Sequence, residues 1–237
     1  MSTAKTHILV TGASRGIGKA ILESLDRDDV TAVGQSTTGG DRLIASDFSR
    51  DGAAPLLWKE ALDRLDGRID VLVNNAGLFE PNPIANDDWL ESWNRTMTIN
   101  LTASAELCRL AVLHFQHRDE PGRIVNIASR AAYRGDSPDH WHYAASKAGM
   151  VAMTKTIARA YAKDEILAFA ICPGFTMTGM AEEYLESRGG DRLLADIPLG
   201  RVAQPEEIAE MARWCALEAP ASMTGAILDA NGASFVR

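Results

Sequence analysis

Short runs of apolar and β-branched residues alternate along the chain with longer stretches in which apolar residues recur at helical spacing. The run Ile69–Val73 is apolar almost throughout, as expected of a strand covered on both faces. The pattern predicts seven strands, at His7–Val10, Val30–Gln35, Arg42–Ala45, Ile69–Val73, Ile124–Ile127, Ile166–Cys172 and Ala226–Asp229. It also predicts five helices, at Gly18–Leu25, Pro55–Leu65, Asp88–Phe115, Tyr143–Ala162 and Pro205–Leu217. Within the second of these helices, one apolar face is expected to hold Leu56, Leu57, Leu62 and Leu65.

Strands that alternate with helices predict an α/β fold, a doubly wound parallel sheet with helices on both faces. No repeat and no flexible linker divides the 237 residues, and about seven strands account for the whole length, so a single domain over residues 1–237 is expected. Ligands of such sheets bind beyond the carboxyl ends of the strands. Polar and glycine-rich segments follow the predicted strands that end at Val10, Val73, Ile127 and Cys172.

Composition and charge narrow the function classes. The formal net charge of −8 argues against a surface that binds nucleic acid. The longest apolar run, Ile166–Cys172, is far shorter than the ~20 residues that span a membrane. Cys108, Cys172 and Cys215 are far apart and form no CxxC motif, which fits reduced thiols. We therefore expect a cytoplasmic protein without nucleic-acid or membrane partners.

A glycine-rich turn follows the first predicted strand. Thr11–Gly18 reads TGASRGIG and leads into a helix. Its three glycines allow the backbone to approach a pyrophosphate closely, and the helix N-terminus offers free N–H groups to the phosphates. The same residues match GxSxG, the nucleophile elbow of α/β-hydrolases. The hydrolase interpretation is disfavoured because no earlier strand is predicted and the last histidine, His142, lies in mid-chain.

Tyr143 and Lys147 stand four positions apart in a predicted helix, which places a phenol and an ammonium group on one helix face. A free phenol with a pKa of ~10 is a poor base at neutral pH. The neighbouring ammonium group is expected to lower the pKa of the phenol, which suits a residue that exchanges a proton with an alcohol oxygen.

With these motifs in this order, the sequence resembles the short-chain dehydrogenases/reductases from His7 to about Gly232. Further landmarks are Asn74–Gly77, Asn100, Ser129 and Pro173-Gly174. The resemblance implies a Rossmann fold, a nicotinamide cofactor, and hydride transfer between a carbonyl group and a secondary alcohol. It also implies a homotetramer that pairs the long central helices. The glycine turn and the end of the second strand are most similar to those of the 3-oxoacyl-carrier-protein reductases.

The resemblance further implies roles for single residues. Tyr143 corresponds to the catalytic acid/base, Lys147 to its activator and a ribose ligand, and Ser129 to the group that polarises the substrate oxygen. Asn100 completes the catalytic set by keeping a water beside Lys147, and Asn74 supports the central sheet. The cofactor-binding residues implied are Gly12, Ser14, Arg15, Gly16, Ile17, Gly18, Ser36, Thr37, Asp47, Phe48, Asn75, Ala76, Gly77, Tyr143, Lys147, Pro173, Gly174 and Thr176.

The end of the second predicted strand bears on the choice of cofactor. Sites for NAD place a carboxylate about 20 residues after the glycines. Here the strand ends in Gln35-Ser36-Thr37. With no carboxylate to repel a 2′-phosphate, Arg15 and these neutral side chains are expected to bind it, so NADP(H) is favoured over NAD(H).

The segments expected around the substrate differ from the family pattern. Ser129 and Tyr143 are 14 positions apart, one more than usual, so the loop Arg130–His142 carries an extra residue and is expected to shape the substrate mouth. Gly179–Pro198 is expected to cover the substrate with an apolar lining and an acidic outer face. The histidines lack metal-ligand spacing, and no metal is expected.

Acidic pairs, Asp119-Glu120 and Asp164-Glu165, precede the fifth and sixth predicted strands, where carrier-protein reductases hold basic residues. Repulsion of an acidic carrier protein favours a small free carbonyl or alcohol substrate. A 3-oxoacyl-carrier-protein reductase remains the alternative within the family. A non-catalytic NADP-binding regulator is the alternative of another class, which the intact catalytic set disfavours.

Overall fold

A computed structural model of the protein describes residues 5–178 and 194–237. They form one parallel sheet of seven strands in the order β3-β2-β1-β4-β5-β6-β7. The strands are β1 Thr6–Val10, β2 Val30–Ser36, β3 Leu43–Ala45, β4 Val71–Asn74, β5 Gly122–Ile127, β6 Ile166–Pro173 and β7 Ile227–Ala230. The α-helices of the described part are α1 Gly16–Ser24, α2 Ala53–Arg64, α3 Trp89–Met97, α4 Ala103–Arg118, α5 Ala131–Arg134, α6 Trp141–Tyr161 and α7 Pro205–Leu217.

The predicted α/β fold is confirmed: the strands and helices lie where the hydrophobic pattern placed them, with ends that differ by at most three residues. Two details were wrong. The expected helix Asp88–Phe115 is two helices, α3 and α4, joined by the π-helical turn Thr98–Thr102. Leu56 is 69% exposed, because the buried face of α2 recurs every four residues through Leu57, Ala61 and Leu65 and leaves Leu56 on the opposite side.

Side chains that alternate along the strands build a core on each face of the sheet. Ile8 and Val10 of β1 pack with the buried residues of α1 and α7 on one face. Leu9 faces the other way and packs with those of α2, α4 and α6. Because both faces are covered, the sheet is doubly wound. Within the described ranges, no helix has the length and apolar character needed to cross a membrane.

The strand order places the carboxyl ends of β1, β4, β5 and β6 side by side at one edge. Val10 pairs with Val73, and Asn74 pairs with Asn126. Asn74 Nδ2 donates to Asn126 Oδ1 at 2.9 Å, and Asn126 Nδ2 donates to Thr154 Oγ1 at 2.8 Å. This chain of buried hydrogen bonds links two central strands to α6, which carries Tyr143 and Lys147.

Candidate active site

The glycine turn after β1 is packed against the segment that follows β4. Gly12 has a φ of +65°, and a Cβ atom there would lie 2.7 Å from the Cα atom of Ala76. A Cβ atom on Gly18 would lie 2.1 Å from the carbonyl oxygen of Gly12. Asn75 Nδ2 donates to the carbonyl oxygens of Thr11 and Gly12 at 3.0 Å each. The turn therefore requires glycine at both positions and is held in place by Asn75.

The N-terminus of α1 opens at this turn and fits an anionic group. The side chain of its N-cap residue, Arg15, makes no hydrogen bond to the backbone N–H groups, and the first turn of the helix holds no acidic residue. Ser14 and Arg15 are exposed beside it, and Ile17 is half-buried. Unpaired N–H groups at the positive end of a helix dipole bind phosphate, so the residues present fit the pyrophosphate of a dinucleotide.

Gln35 does not face the expected phosphate position. Its side chain is buried, its Oε1 accepts the N–H of Gly12 at 2.8 Å, and its Nε2 donates to the carbonyl oxygen of Ser46 at 2.6 Å. The expectation that Gln35 binds a 2′-phosphate was therefore wrong, because its amide oxygen is bonded to the glycine turn and its amide nitrogen to Ser46 after β3. Ser36 is the last residue of β2 and accepts the N–H of Gly39, and Thr37 after it is exposed.

The family resemblance implies that Asp47 and Phe48 contact the adenine and that Pro173, Gly174 and Thr176 border the nicotinamide. These residues lie at or just after the carboxyl ends of β3 and β6. Phe48 is buried, whereas Asp47 Oδ1 accepts hydrogen bonds from the N–H and hydroxyl of Ser49. After β6, Thr176 is buried and its hydroxyl donates to the carbonyl oxygen of Gly174 at 3.3 Å. The adenine and nicotinamide contacts of these residues stay predictions. Of the expected substrate cover, Gly179–Pro198, residues 179–193 lie outside the part of the chain that the structure describes.

Asn100 lies in the π-helical turn between α3 and α4 and is fully buried. Its Oδ1 accepts the N–H of Leu78 at 2.8 Å, and its Nδ2 donates to the carbonyl oxygen of Leu78 at 3.0 Å and to Ser146 Oγ at 3.2 Å. A Cβ atom on Gly77 would lie 3.5 Å from both Asn100 Oδ1 and Lys147 Nζ. The π turn thus brings the Asn100 amide close to the lysine across Gly77, as π-helical turns at functional sites often do.

Ser129, Tyr143 and Lys147 meet at the carboxyl ends of β5 and β6. The Ser129 side chain lies beside the Tyr143 hydroxyl and accepts the N–H of Ala131 at 3.1 Å. Lys147 is buried, its Nζ donates to the carbonyl oxygen of Ile127 at 2.8 Å, and it lies 5.8 Å from the centroid of the Tyr143 ring. The four expected catalytic residues are therefore brought together by three separate segments of the chain.

The pKa values of Tyr143 and Lys147 differ from the expectation. Burial raises the pKa of Tyr143 to about 12, although the hydrogen bond from Ser129 lowers it. Burial also lowers the pKa of Lys147 to about 8. The prediction that Lys147 depresses the pKa of Tyr143 was wrong for this state, because loss of solvation disfavours both charged forms and the ammonium group is turned toward a backbone carbonyl.

One side chain at the site was not singled out by the motifs. Phe79 follows the Asn74–Gly77 segment by two positions, and its ring packs edge-to-face on Tyr143 with the centroids 4.7 Å apart. An aromatic residue directly after that segment was a sequence signal for the substrate mouth. Within the described residues, no group of three or more metal-ligating side chains is found.

The chain is similar to known reductases and dehydrogenases over almost its whole length. A family model described as enoyl-(acyl carrier protein) reductase matches residues 12–232. The chain is 36% identical to 3-oxoacyl-(acyl-carrier-protein) reductase of Synechocystis sp., over 94% of each chain. It is 33% identical to the reductase of that name from Vibrio harveyi, over 96% of each, and 32% identical to 3beta-hydroxysteroid dehydrogenase 1 of Eggerthella lenta, over 95% of this chain and 92% of the relative. With a glycine turn, a tyrosine–lysine pair and these relatives, the chain belongs to the short-chain dehydrogenase/reductase family and is an oxidoreductase acting on CH–OH or C=O groups.

Proposed function

We propose that the protein reduces a ketone to a secondary alcohol with NADPH and that Tyr143 donates the proton. The Tyr143 hydroxyl beside the Ser129 side chain, with the buried Lys147 on the same helix, carries this proposal. Such a group, held at the carboxyl edge of the sheet, can bind a carbonyl oxygen and protonate it.

Each residue of the site has a distinct task in the proposed reaction. Bound nicotinamide supplies the hydride, and the glycine turn with the N-terminus of α1 holds the pyrophosphate. Ser129 orients the carbonyl oxygen toward Tyr143. As negative charge develops on that oxygen, the phenol O–H bond breaks and the proton moves to the oxygen, which leaves an alcohol. A phenol whose pKa is about 12 is protonated at neutral pH, as a proton donor must be.

Two features support NADP(H) over NAD(H) within the nicotinamide cofactors that the family implies. The last residue of β2, Ser36, carries no charge that would repel a 2′-phosphate. Arg15 is exposed at the start of α1, next to the phosphate position proposed above. A guanidinium group and neutral hydroxyls suit a phosphate monoester, whereas NAD sites offer a carboxylate to the ribose.

A small free carbonyl compound is the proposed substrate class, and a carrier-protein thioester is the second candidate. The second candidate is favoured by relatives named 3-oxoacyl-(acyl-carrier-protein) reductase. The exposed carboxylates of Asp119, Asp164 and Glu165, which precede β5 and β6, oppose it. An acidic carrier protein would meet like charge there, which lowers the association rate.

We also propose that the cofactor-binding domain extends over residues 1–237 with a substrate cover at about 179–198, and that the protein is a cytoplasmic homotetramer.

The absorbance of NADPH and NADH, followed with a panel of ketones, quinones, sugars and 3-oxoacyl thioesters, tests the proposed function. Oxidation of NADPH with a free ketone is expected. Turnover with carrier-bound thioesters only would favour the second candidate. No turnover by a protein that binds NADPH would favour the regulator.

A further inference from the structure

Phe79 stands at the centre of a stack of rings beside Tyr143. Its ring meets Tyr143 edge-to-face at an interplanar angle of 81°. Its other neighbour is His140, which stacks on it face to face with the centroids 4.0 Å apart and an interplanar angle of 7°. A carbonyl group that reaches the Tyr143 hydroxyl therefore arrives next to the Phe79 ring.

Three tryptophans form a second ring cluster, and one of them, Trp141, follows His140 in the sequence. Trp89 stacks on Trp93 with the centroids 5.2 Å apart, and Trp141 meets Trp89 edge-to-face at 6.3 Å. We call Phe79, His140, Trp89, Trp93 and Trp141 the aromatic wall. It contains three of the five tryptophans of the chain, a concentration that the core of the protein does not require, since Trp141 is 53% exposed.

Asn82 holds the two halves of the aromatic wall together. Its N–H donates to the carbonyl oxygen of Asp139 at 2.7 Å, and its Nδ2 donates to the carbonyl oxygen of Trp89 at 2.9 Å. His140 is also held, since its Nδ1 is hydrogen-bonded to Ser137 Oγ at 2.6 Å. Both His140 and Ser137 lie in the loop that carries the extra residue. The wall is therefore built before any substrate arrives, which reduces the entropy cost of binding.

The surroundings of the wall are apolar and acidic. Ile84 and Leu90 are 67% and 62% exposed on the segment that joins Phe79 to Trp93. The charges of Asp136 and Asp139 act on His140, the His142 ring lies 6.3 Å from the His140 ring, and Glu80 is paired with Arg95 at 3.1 Å. Ring faces bind flat apolar groups, whereas carboxylates beside them repel an anion.

We propose that the aromatic wall selects uncharged carbonyl compounds that bear a planar ring, and that Phe79 and His140 are the specificity-determining residues. The inference rests on the proposed carbonyl reduction and names the substrate class of that site. An aromatic pair contributes enough to change affinity roughly two- to tenfold.

The test compares acetophenone with cyclohexyl methyl ketone, which is similar in size but has no planar ring. Conjugation changes the intrinsic reactivity of a ketone, so the diagnostic quantity is the change in the ratio of the two kcat/KM values on substitution. Phe79→Leu is expected to lower that ratio by about two- to tenfold, because the apolar contact remains and the ring contact is lost. Phe235→Leu is the matched control, since Phe235 also stacks, on Tyr133, but belongs to the C-terminal segment. It is expected to leave the ratio unchanged.

Two further measurements, on a second variant and on a charged ketone, also test the inference. His140→Leu is expected to lower the ratio in the same direction, which covers the case in which Phe79→Leu fails to fold. 4-Acetylbenzoate, the carboxylated analogue of acetophenone, is expected to have a kcat/KM at least about tenfold lower in the unmodified protein. Equal ratios in the unmodified protein and in a folded Phe79→Leu or His140→Leu variant would overturn the inference, as would equal turnover of the carboxylated ketone.

A binding measurement distinguishes failure of the proposed function from failure of the ring selection by the aromatic wall. If the unmodified protein reduces no ketone, calorimetric titration with 1-phenylethanol and 1-cyclohexylethanol still measures ring selection. Tighter binding of the phenyl compound, lost in Phe79→Leu, supports the aromatic wall without the proposed chemistry. Equal binding of the two alcohols contradicts it.

Discussion

At the residue scale, burial decides the chemistry of the site more than the sequence spacing of its members does. Tyr143 and Lys147 are neighbours on α6, yet the pKa of the first is raised to about 12 and that of the second is lowered to about 8. Desolvation opposes both charges and is the largest cause of each shift. The phenol is thus suited to give a proton, and the amine is poised to titrate near neutral pH.

Tyr143→Phe is expected to reduce turnover at least ~10²-fold, because the ring packing remains and only the proton donor is lost. Cofactor affinity should stay near that of the unmodified protein, since the hydroxyl does not contribute to the pyrophosphate site. Steady-state rates and NADPH titration by tryptophan fluorescence measure the two quantities. Tyr161→Phe on the same helix is the matched control and should keep full turnover. Turnover close to normal in Tyr143→Phe would exclude the proposed mechanism.

The value of kcat/KM for reduction is expected to fall as pH rises through about 8, because the free enzyme then loses the Lys147 ammonium group. Cys172, the neighbouring thiol, has a pKa raised to about 11 by burial and stays neutral across this range. A pH profile between 6 and 10 measures the effect. Lys147→Met should have low activity and no such decline near pH 8. A decline of the same size in Lys147→Met would assign it to another group.

At the element scale, the site is made by turns that close onto one another. Asn75 after β4 holds the glycine turn after β1, and Gln35 of β2 holds it from the other side. The π turn between α3 and α4 brings Asn100 to the loop after β4. Each hydrogen bond joins segments distant in sequence, so a substitution in one turn is expected to disturb the others.

Arg15→Ala is expected to weaken NADPH binding roughly ten- to 150-fold and to leave NADH binding nearly unchanged, because a charge-assisted hydrogen bond contributes ~1.5–3 kcal/mol. Ser36→Asp should reverse the preference by repelling the 2′-phosphate and by offering an acceptor to the ribose. Fluorescence titration with both dinucleotides measures these changes. Lys19→Ala, which removes an exposed cation later in α1, is the control. Tighter binding of NADH than of NADPH by the unmodified protein would show that the proposed cofactor choice is wrong.

Gln35→Asp tests the stability of the fold and not the choice of cofactor, because Gln35 is buried and hydrogen-bonded at both ends of its amide group. Gln35→Asp shortens a buried side chain that bonds Gly12 and Ser46, and it adds a charge. It is expected to destabilise the fold by about 1–3 kcal/mol or more, measured by urea unfolding, rather than to switch the cofactor.

At the scale of the whole molecule, two helix layers cover the sheet and leave apolar groups on the outside. Leu113 of α4 is 49% exposed, and α4 covers the same face of the sheet as α6. Surfaces of this kind are buried in obligate assemblies. The proposed tetramer pairs these helices between copies.

Light scattering is expected to give a mass of about four times 25.6 kDa. Leu113→Asp should lower the mass by placing a charge in the proposed interface, whereas Leu56→Asp on α2, where the leucine is 69% exposed, should not. A stable monomer at micromolar concentration would contradict the proposal.

The sequence alone determined where strands and helices follow one another along the chain, and it contained the glycine turn and the tyrosine–lysine pair. Each of these depends on residues within a few positions of one another. Hydrophobic periodicity reflects which face of an element is buried, so α7 was predicted to the residue at Pro205–Leu217. The four expected catalytic residues were implied by the family resemblance, and the structure brings them together.

Only the tertiary structure decided the direction of Gln35, the break between α3 and α4, the pKa values of the catalytic pair and the contact between Phe79 and His140. Each depends on groups far apart in the chain. Gln35 meets Gly12 across neighbouring strands, and Phe79 meets a ring 61 positions later. Burial is a sum over all such neighbours, and no short window of sequence contains it.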